Sequence, residues 1–330
     1  MSRIAPIDFL NGVPAASARI RPEVLRTPLV RSDSLSARIG ADVFIKAEHF
    51  QPTGSFKIRG AMNKLRSLTA AEKSRGVVSA STGNHGLAVG HAASLEGVEV
   101  ILFVPESLSS EKRRRLLFAP GVRLEFVEGS CEQAEVRARQ FGRETGRPYV
   151  SPYNDPDIIL GQGTAGLEVL EDLPDVQDVL VPVGGGGLIA GMAGYLRSIR
   201  PSVRILGVEP YNSRFMKESI EAGHLVDVDE APSLADAVAG GLEPGSLTFP
   251  LCQEYVDDII VVEEPLIAES VALMFRDGAG IVEGAGALAL AGLLKDEDLF
   301  KNRRVVLVAS GGNISPELHR RIASGSGQGD

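Results

Sequence analysis

The sequence predicts an α/β fold, two open, mostly parallel twisted sheets with helices on both faces, and three observations carry that reading. From Gly76 the chain repeats one unit, a short apolar run followed by a helical pattern, which is how a parallel sheet with crossover helices shows itself in sequence. A second series of the same kind begins after DPDIILGQGT. Glycine-rich turns follow the apolar runs VVSAS, DVLVPV and VVLVA, which places them at carboxyl ends of strands, where open α/β sheets bind ligands.

Taken in order, Ala15 to Arg26 has an arginine-bearing amphipathic pattern and reads as a surface helix, followed by TPLV and by ADVFIKAE, which alternates as a strand does. Pro52 and Gly54 break the chain before Lys57. After it, AMNKLRSL spaces Met62 and Leu65 as a helix would. The first series then runs VVSAS, the helix HGLAVGHAASLEG, the strand VEVILFVP, the charged helix SSEKRRRLLF, the strand VRLEFVE, the helix CEQAEVRARQFGRETG and the strand RPYVSP. These form a small substrate-gripping domain over residues 68–152, with 1–67 and 153–330 making a large cofactor-binding domain. The glycines and proline of DPDIILGQGT mark the chain crossing between the two.

The second series has the helix TAGLEVLEDL, the strand DVLVPV, the turn GGGG, the helix LIAGMAGYLRSI, the strand VRILGVE and a helix over Ser213 to Glu221. Asp227 to Leu247 lacks periodicity and reads as loops. The strand DDIIVVE, helices over Leu266 to Arg276 and Ala285 to Leu294, the strand RRVVLVAS and a helix from Pro316 complete it, ahead of a flexible tail SGSGQGD.

Composition narrows the function classes. A chain of 330 residues with 44% hydrophobic and 23% charged residues has the balance of an ordinary globular protein with a sizeable core. The net charge of −9 comes from scattered acids, and the one basic run, Lys112 to Arg115, is too short for a nucleic-acid footprint and reads as a solvated helix face. No signal run follows Met1 and no stretch reaches membrane-spanning length; Cys131 and Cys252 lie far apart without metal-ligand spacing. A cytoplasmic protein without nucleic-acid or membrane partners is expected.

The chemistry centres on QPTGSFKIRGA, Gln51 to Ala61. Lys57 stands between Phe56 and Ile58 after a turn and before a helix, where packing can fix the amine and desolvation can lower its pKa. A neutral, positioned amine forms an imine with an aldehyde, and pyridoxal phosphate is the aldehyde cofactor that meets a lysine in this way. Such a cofactor demands a phosphate site, a contact to the ring nitrogen and a grip on an amino-acid carboxylate. Gly184 to Gly187, between a strand and a helix beginning near Leu188, gather unhindered N–H groups and a helix N-terminus into an anion cradle. The competing dinucleotide turn is only loosely met by Gly184, Gly186 and Gly191, with no evident acidic ribose partner. STGNHG, Ser81 to Gly86, offers hydroxyls, an amide and N–H groups to a carboxylate, and would equally serve as a plain capped turn; His85, with no carboxylate partner in view, reads as structural. In SGGN, Ser310 to Asn313, the Ser310 hydroxyl can face a pyridine nitrogen and leave it unprotonated, a capped turn being the alternative.

QPTGSFKIRGA, STGNHG, VPVGGGGLIAG and SGGN, in this order and spacing, resemble the fold-type II pyridoxal-phosphate enzymes, whose fold is like the tryptophan synthase β subunit. Within them they resemble the threonine/serine dehydratase and serine racemase branch. The resemblance runs from RTPLVRSDSLS to SGGN. It implies Lys57 as the Schiff-base lysine, Phe56 beside the ring, Asn84 on the ring hydroxyl, Gly184, Gly185, Gly186, Gly187 and Leu188 on the phosphate, and Ser310 on the ring nitrogen. Ser81, Thr82, Asn84 and His85 would receive the substrate, and Glu283 in VEGAGA matches a glutamate near the cofactor. Thr82 stands where racemases of this family place a serine and the dehydratases an alanine, so it is carried as a second catalytic candidate. Leu87 replaces a common glutamine, which points to an altered substrate. At the family's divalent-cation site Glu209 is kept but Phe215 occupies the aspartate's place, so no metal is expected. The chain ends after the catalytic core, so allosteric control by isoleucine is not expected, and relatives imply a homodimer or homotetramer.

The expected reaction is elimination of the hydroxyl and amine of a β-hydroxy amino acid, with Lys57 removing the Cα proton. Threonine, serine, 3-hydroxyaspartate, an aryl-serine or a product of hydroxyectoine breakdown would all present the same reacting atoms. The alternatives are a racemase, a β-replacement synthase and, from another class, a nucleotide-binding protein without pyridoxal phosphate.

Overall fold

The two series of apolar runs build two separate sheets in the computed structural model, which describes residues 7 to 324. Among these residues the strands are β1 (Leu29–Arg31), β2 (Asp42–Lys46), β3 (Val77–Ala80), β4 (Val100–Pro105), β5 (Val122–Val127), β6 (Asp178–Pro182), β7 (Arg204–Pro210), β8 (Asp258–Val262) and β9 (Arg304–Val308). The six-stranded sheet has the order β1-β2-β9-β6-β7-β8 and the three-stranded one β3-β4-β5. Only β1 is antiparallel, with Val30 opposite Ile45; β2 to β8 and the whole second sheet pair in parallel, so the α/β expectation holds.

Central β6 is buried on both faces, which is why it reads as a continuous apolar run. Val179, Val181 and Val183 pack with Ile189 and Met192 of the helix Gly187–Ile199, whereas Leu180 packs with Leu288 of the helix Gly284–Lys295 on the other face. From β6 the chain moves outward through β7 to β8 and returns to β9 on the other flank of β6. Strand order therefore reverses between β6 and β9, and a crevice opens beyond their carboxyl ends. GGGG follows β6 and SGGN follows β9 directly, so topology alone brings these two turns together.

Several local expectations are corrected. DPDIILGQGT is not a crossing loop: it lies in the continuous helix Pro156–Asp172, started by Asp155, whose Oδ1 accepts from the N–H groups of Asp157 and Ile158. Its glycines serve close packing, since a Cβ at Gly161 would stand 2.7 Å from the Arg59 carbonyl and one at Gly163 2.8 Å from that of Gly191. The first helix is Phe9–Ile20 and not Ala15 to Arg26; Phe9, Val13, Ala16 and Ile20 line its buried face, and Pro14 is accommodated within it. RPYVSP makes only a bridge to β3, Val78 donating to the Pro148 carbonyl and Val150 to that of Val78, between two prolines that cannot extend the ladder. Asp227 to Leu247 holds a single turn of helix, Asp236–Val238. The tail predicted to be flexible lies, from residue 325 on, outside the described residues. No described helix is long and apolar enough to cross a membrane.

Candidate active site

One cleft is lined by Phe56, Lys57, Asn84, Gly184 to Gly187, Leu188, Glu283 and Ser310, so residues from four sequence motifs face one space. Lys57 opens the helix Lys57–Ser67. That helix is pinned two residues later by Arg59, fully buried in an ion cluster with Glu48, Glu168 and Lys46 contributed by three other segments. Arg59 donates to Glu48 at 2.7 Å and to Glu168 at 2.8 Å. Two acids balance two bases, so the cluster satisfies its own charges while fixing where Lys57 starts. Lys57 Nζ donates to the Pro152 carbonyl at 2.9 Å and lies 5.2 Å from the Phe56 ring centroid. Burial lowers its pKa from the usual 10.5 to about 8, against the opposing charges of Glu135 and Glu283.

The glycine run has no room for side chains. A Cβ at Gly184 would lie 2.7 Å from the Val238 carbonyl, and one at Gly185 2.3 Å from Tyr153 Cδ1; Gly186 sits at φ +81°, in the left-handed region. Among the described residues the N–H groups of Gly184 to Leu188 donate to no backbone acceptor, and the helix Gly187–Ile199 starts without a side-chain cap. The Gly185 carbonyl is turned the other way, accepting from Thr248 Oγ1 at 2.6 Å. These are the features of an anion cradle, and they fit a phosphate.

The helix Asn84–Glu96, whose Asn84 lines the same cleft, also begins without a side-chain cap, directly after Ser81, Thr82 and Gly83; Ser81 and Thr82 do not line the cleft themselves. Ser81 Oγ accepts from Gly83 N–H at 3.2 Å; Ser81 and Thr82 are half-buried. Asn84 Nδ2 donates to Glu283 Oε1 at 2.6 Å, and burial raises the Glu283 carboxyl to about pH 7. Ser310 Oγ, buried, reaches the Ala285 carbonyl only at 3.3 Å, which leaves it able to donate elsewhere. His85 stands apart from the cleft lining. It is buried behind the turn with Nε2 3.1 Å from the Val150 carbonyl, and burial next to Lys57 lowers its pKa to about 3, so it is a neutral structural ring.

Glu209 has both carboxylate oxygens engaged by backbone N–H groups. They accept from Met216 and Lys217, both at 2.9 Å, at the start of the helix Phe215–Ala222. Burial raises the Glu209 carboxyl to about pH 8, and among the described residues no cluster of three or more His, Cys, Asp or Glu has metal-binding geometry.

Sequence reasoning missed Tyr153, whose ring backs Gly185 and whose hydroxyl accepts from Glu243 N–H at 2.8 Å, and it missed Ala237, Val238 and Ala285 in the lining. Tyr153 follows no motif, and Ala237 and Val238 come from the stretch without periodicity. Arg115, read as part of a solvated face, is half-buried and donates to Asn313 Oδ1.

A primary amine of lowered pKa facing an anion cradle across a cleft, with a second helix N-terminus beside it, defines an enzyme that holds a phosphorylated aldehyde and works on an anionic amine substrate. Residues 20–311 match the family model described as pyridoxal-phosphate dependent enzyme, and the chain belongs to that family. It is 40% identical over 316 residues to the L-threonine ammonia-lyase of Thermotoga maritima, covering 95% of this chain and 77% of that protein. Threonine deaminase isoform 2 from Solanum lycopersicum superposes with a TM-score of 0.91 at 32% identity, over 97% of this chain and 92% of that one. Maize serine racemase does so with a TM-score of 0.89 at 34% identity, over 96% and 97%.

Proposed function

We infer that the protein removes the hydroxyl and amino groups of a β-hydroxy amino acid such as threonine or serine, giving a 2-keto acid and ammonia. The observation that carries this reading is the single cleft shared by the Lys57 amine and the Gly184 to Gly187 cradle. Pyridoxal phosphate, when bound, supplies an electron sink for the pair left at Cα. The chain's own residues do the rest. N–H groups from Gly184 to Leu188 hold the phosphate, Phe56 flanks the ring, Asn84 donates toward the ring hydroxyl beside Glu283, and Ser310 offers the ring nitrogen a neutral hydroxyl. Ser81, Thr82 and the N–H groups that open the Asn84 helix take the substrate carboxylate. The Lys57 amine, neutral in a useful fraction near its pKa of about 8, takes the Cα proton. The β-hydroxyl then departs as water, and the enamine left behind hydrolyses in solution to keto acid and ammonia.

Thr82 supports a second reading. It is half-buried in the turn just before Asn84, and a proton delivered to Cα from its hydroxyl, on the face away from Lys57, would invert that centre, as in a racemase. The unit over 68–152 is read as the substrate-gripping domain and 1–67 with 153–330 as the cofactor domain. A homodimer or homotetramer in a reducing cytoplasm is the setting that fits two free cysteines.

Incubation of the purified protein with threonine, serine and 3-hydroxyaspartate should release keto acid and ammonia in equal amounts, and Lys57→Ala should abolish release. D-amino acid without keto acid would transfer the assignment to the racemase. Release that survives Lys57→Ala for every substrate would end the reading.

A further inference from the structure

We propose that Asn313, clamped by Arg115, is a positioning residue that sets which way the Asn84 amide faces and so which atom Asn84 offers to the cofactor. The proposal rests on the placement of Asn84 against the cofactor ring given above. Arg115 lies in the last turn of the helix Ser110–Leu116; Lys112, Arg113 and Arg114 beside it are exposed, whereas Arg115 is half-buried and reaches across to Asn313, in the turn after β9. Its partner there is an amide oxygen and not a carboxylate, so the contact is a directional hydrogen bond to a group that can face either way.

Asn313 has both of its ends defined. A guanidinium can only donate and a carbonyl can only accept. Arg115 therefore requires Oδ1 on its side, and the Thr53 carbonyl, 2.8 Å from Nδ2, requires the amino group on the other. The remaining Nδ2 hydrogen points at Asn84 Oδ1, 2.7 Å away. Asn84 then has no freedom either: with its oxygen engaged, it must turn Nδ2 into the cleft, where Glu283 Oε1 accepts at 2.6 Å. The relay starts on the unit carrying β3 to β5, passes through the turn after β9, returns to the first unit at Asn84 and ends on Glu283. Every bond in it runs in one sense because its first donor cannot accept. Reversed, Asn84 would present an oxygen to the oxygen of the ring hydroxyl.

The experiment uses the cofactor-loaded protein and reads the visible absorbance band, its pH midpoint and the cofactor dissociation constant, with the melting temperature as control. Asn313→Asp keeps a partner for Arg115 and loses both donors. It should move the pH midpoint upward by about half a unit or more and weaken cofactor binding about tenfold, because a donor to an ionised oxygen has been lost. Asn84→Ala should do the same. Arg115→Met should move the band in that direction by less, and Arg115→Lys, which still donates, should restore it. The double variant Arg115→Met with Asn84→Ala should shift no further than Asn84→Ala alone. An additive double variant, or a lowered melting temperature with an unmoved band in Asn313→Asp, overturns the relay while leaving Asn84 on the ring. An unmoved band in Asn84→Ala removes the ring contact, and the relay with it.

Discussion

At the scale of single residues, Lys57 shows how one environment serves chemistry at the expense of stability. Its amine releases its proton near pH 8 in the fold and near 10.5 in an unfolded chain. Between these values the unfolded chain binds the proton that the folded one has given up, so stability rises with pH from about 8 to 10.5; below pH 8 the full penalty is present. Apoprotein carrying Lys57→Met should accordingly be more stable than the parent at pH 7, by about 1 to 2 kcal/mol after allowance for solvent screening of a half-buried group. The advantage should have gone by pH 10.5. Urea unfolding of both apoproteins at pH 7 and 10 measures this, and equal stability at pH 7 would mean that the amine is not desolvated. Glu283 carries a cost of the opposite pH sense, since its raised carboxyl is penalised when ionised, above about pH 7. The two paired costs lie in one cleft, as expected where groups are tuned for proton transfer.

At the scale of elements, the turn Gly184 to Gly187 works because nothing on it projects. Gly185→Ala would place a methyl 2.3 Å from Tyr153 Cδ1, so either the turn or the ring must move and the N–H groups lose their common focus. Titration of apoprotein with pyridoxal phosphate should show binding weakened about 10- to 100-fold, with unfolding stability reduced by about 1 to 3 kcal/mol. Affinity within twofold of the parent would disprove the cradle. This turn, the STGNHG and SGGN turns and the lysine were legible in the sequence because each couples a strand end to residues whose backbone or hydroxyl chemistry is distinctive. Elements defined by tertiary packing were not. Glycines 161 and 163 look like loop residues until the helix Gly187–Ile199 is laid against them. The helices Asp33–Ile39 and Ala70–Arg75 are too short for periodicity and are fixed instead by their caps, Ser32 on the Leu35 N–H and Thr69 with Glu72 in a reciprocal capping box. Arg59 stands inside the motif that was read, yet its partners Glu48 and Glu168 come from other segments, and no local pattern announces them.

At the scale of the whole molecule, the unit around β3 to β5 lends Asn84 to a cleft whose other lining residues lie outside that unit. Among the polar links between that unit and the rest of the chain are the Asn84 bonds to Glu283 and Asn313, the Arg115 bond to Asn313, and the ion pair of Arg139 with Glu243. The ion pair touches no residue proposed to meet the cofactor's ring. Arg139 lies in the helix Cys131–Thr145, stacks 4.3 Å from the Tyr149 ring centroid, and reaches Glu243, whose N–H bonds the hydroxyl of Tyr153 behind the glycine turn. An ion pair whose side chains are 27% and 21% exposed is worth about 1 kcal/mol and weakens with salt. If it favours the closed arrangement, Arg139→Ala should raise KM about fivefold with kcat changed less than twofold, since closure is part of binding and the reacting groups stay in place. Sodium chloride between 0.05 and 0.5 M, a range of roughly threefold in screening length, should raise the parent's KM toward that of the variant and leave the variant's nearly flat. A kcat that falls in step with kcat/KM would place Arg139 in the chemistry itself; a salt response shared equally by both proteins would remove the ion pair from closure.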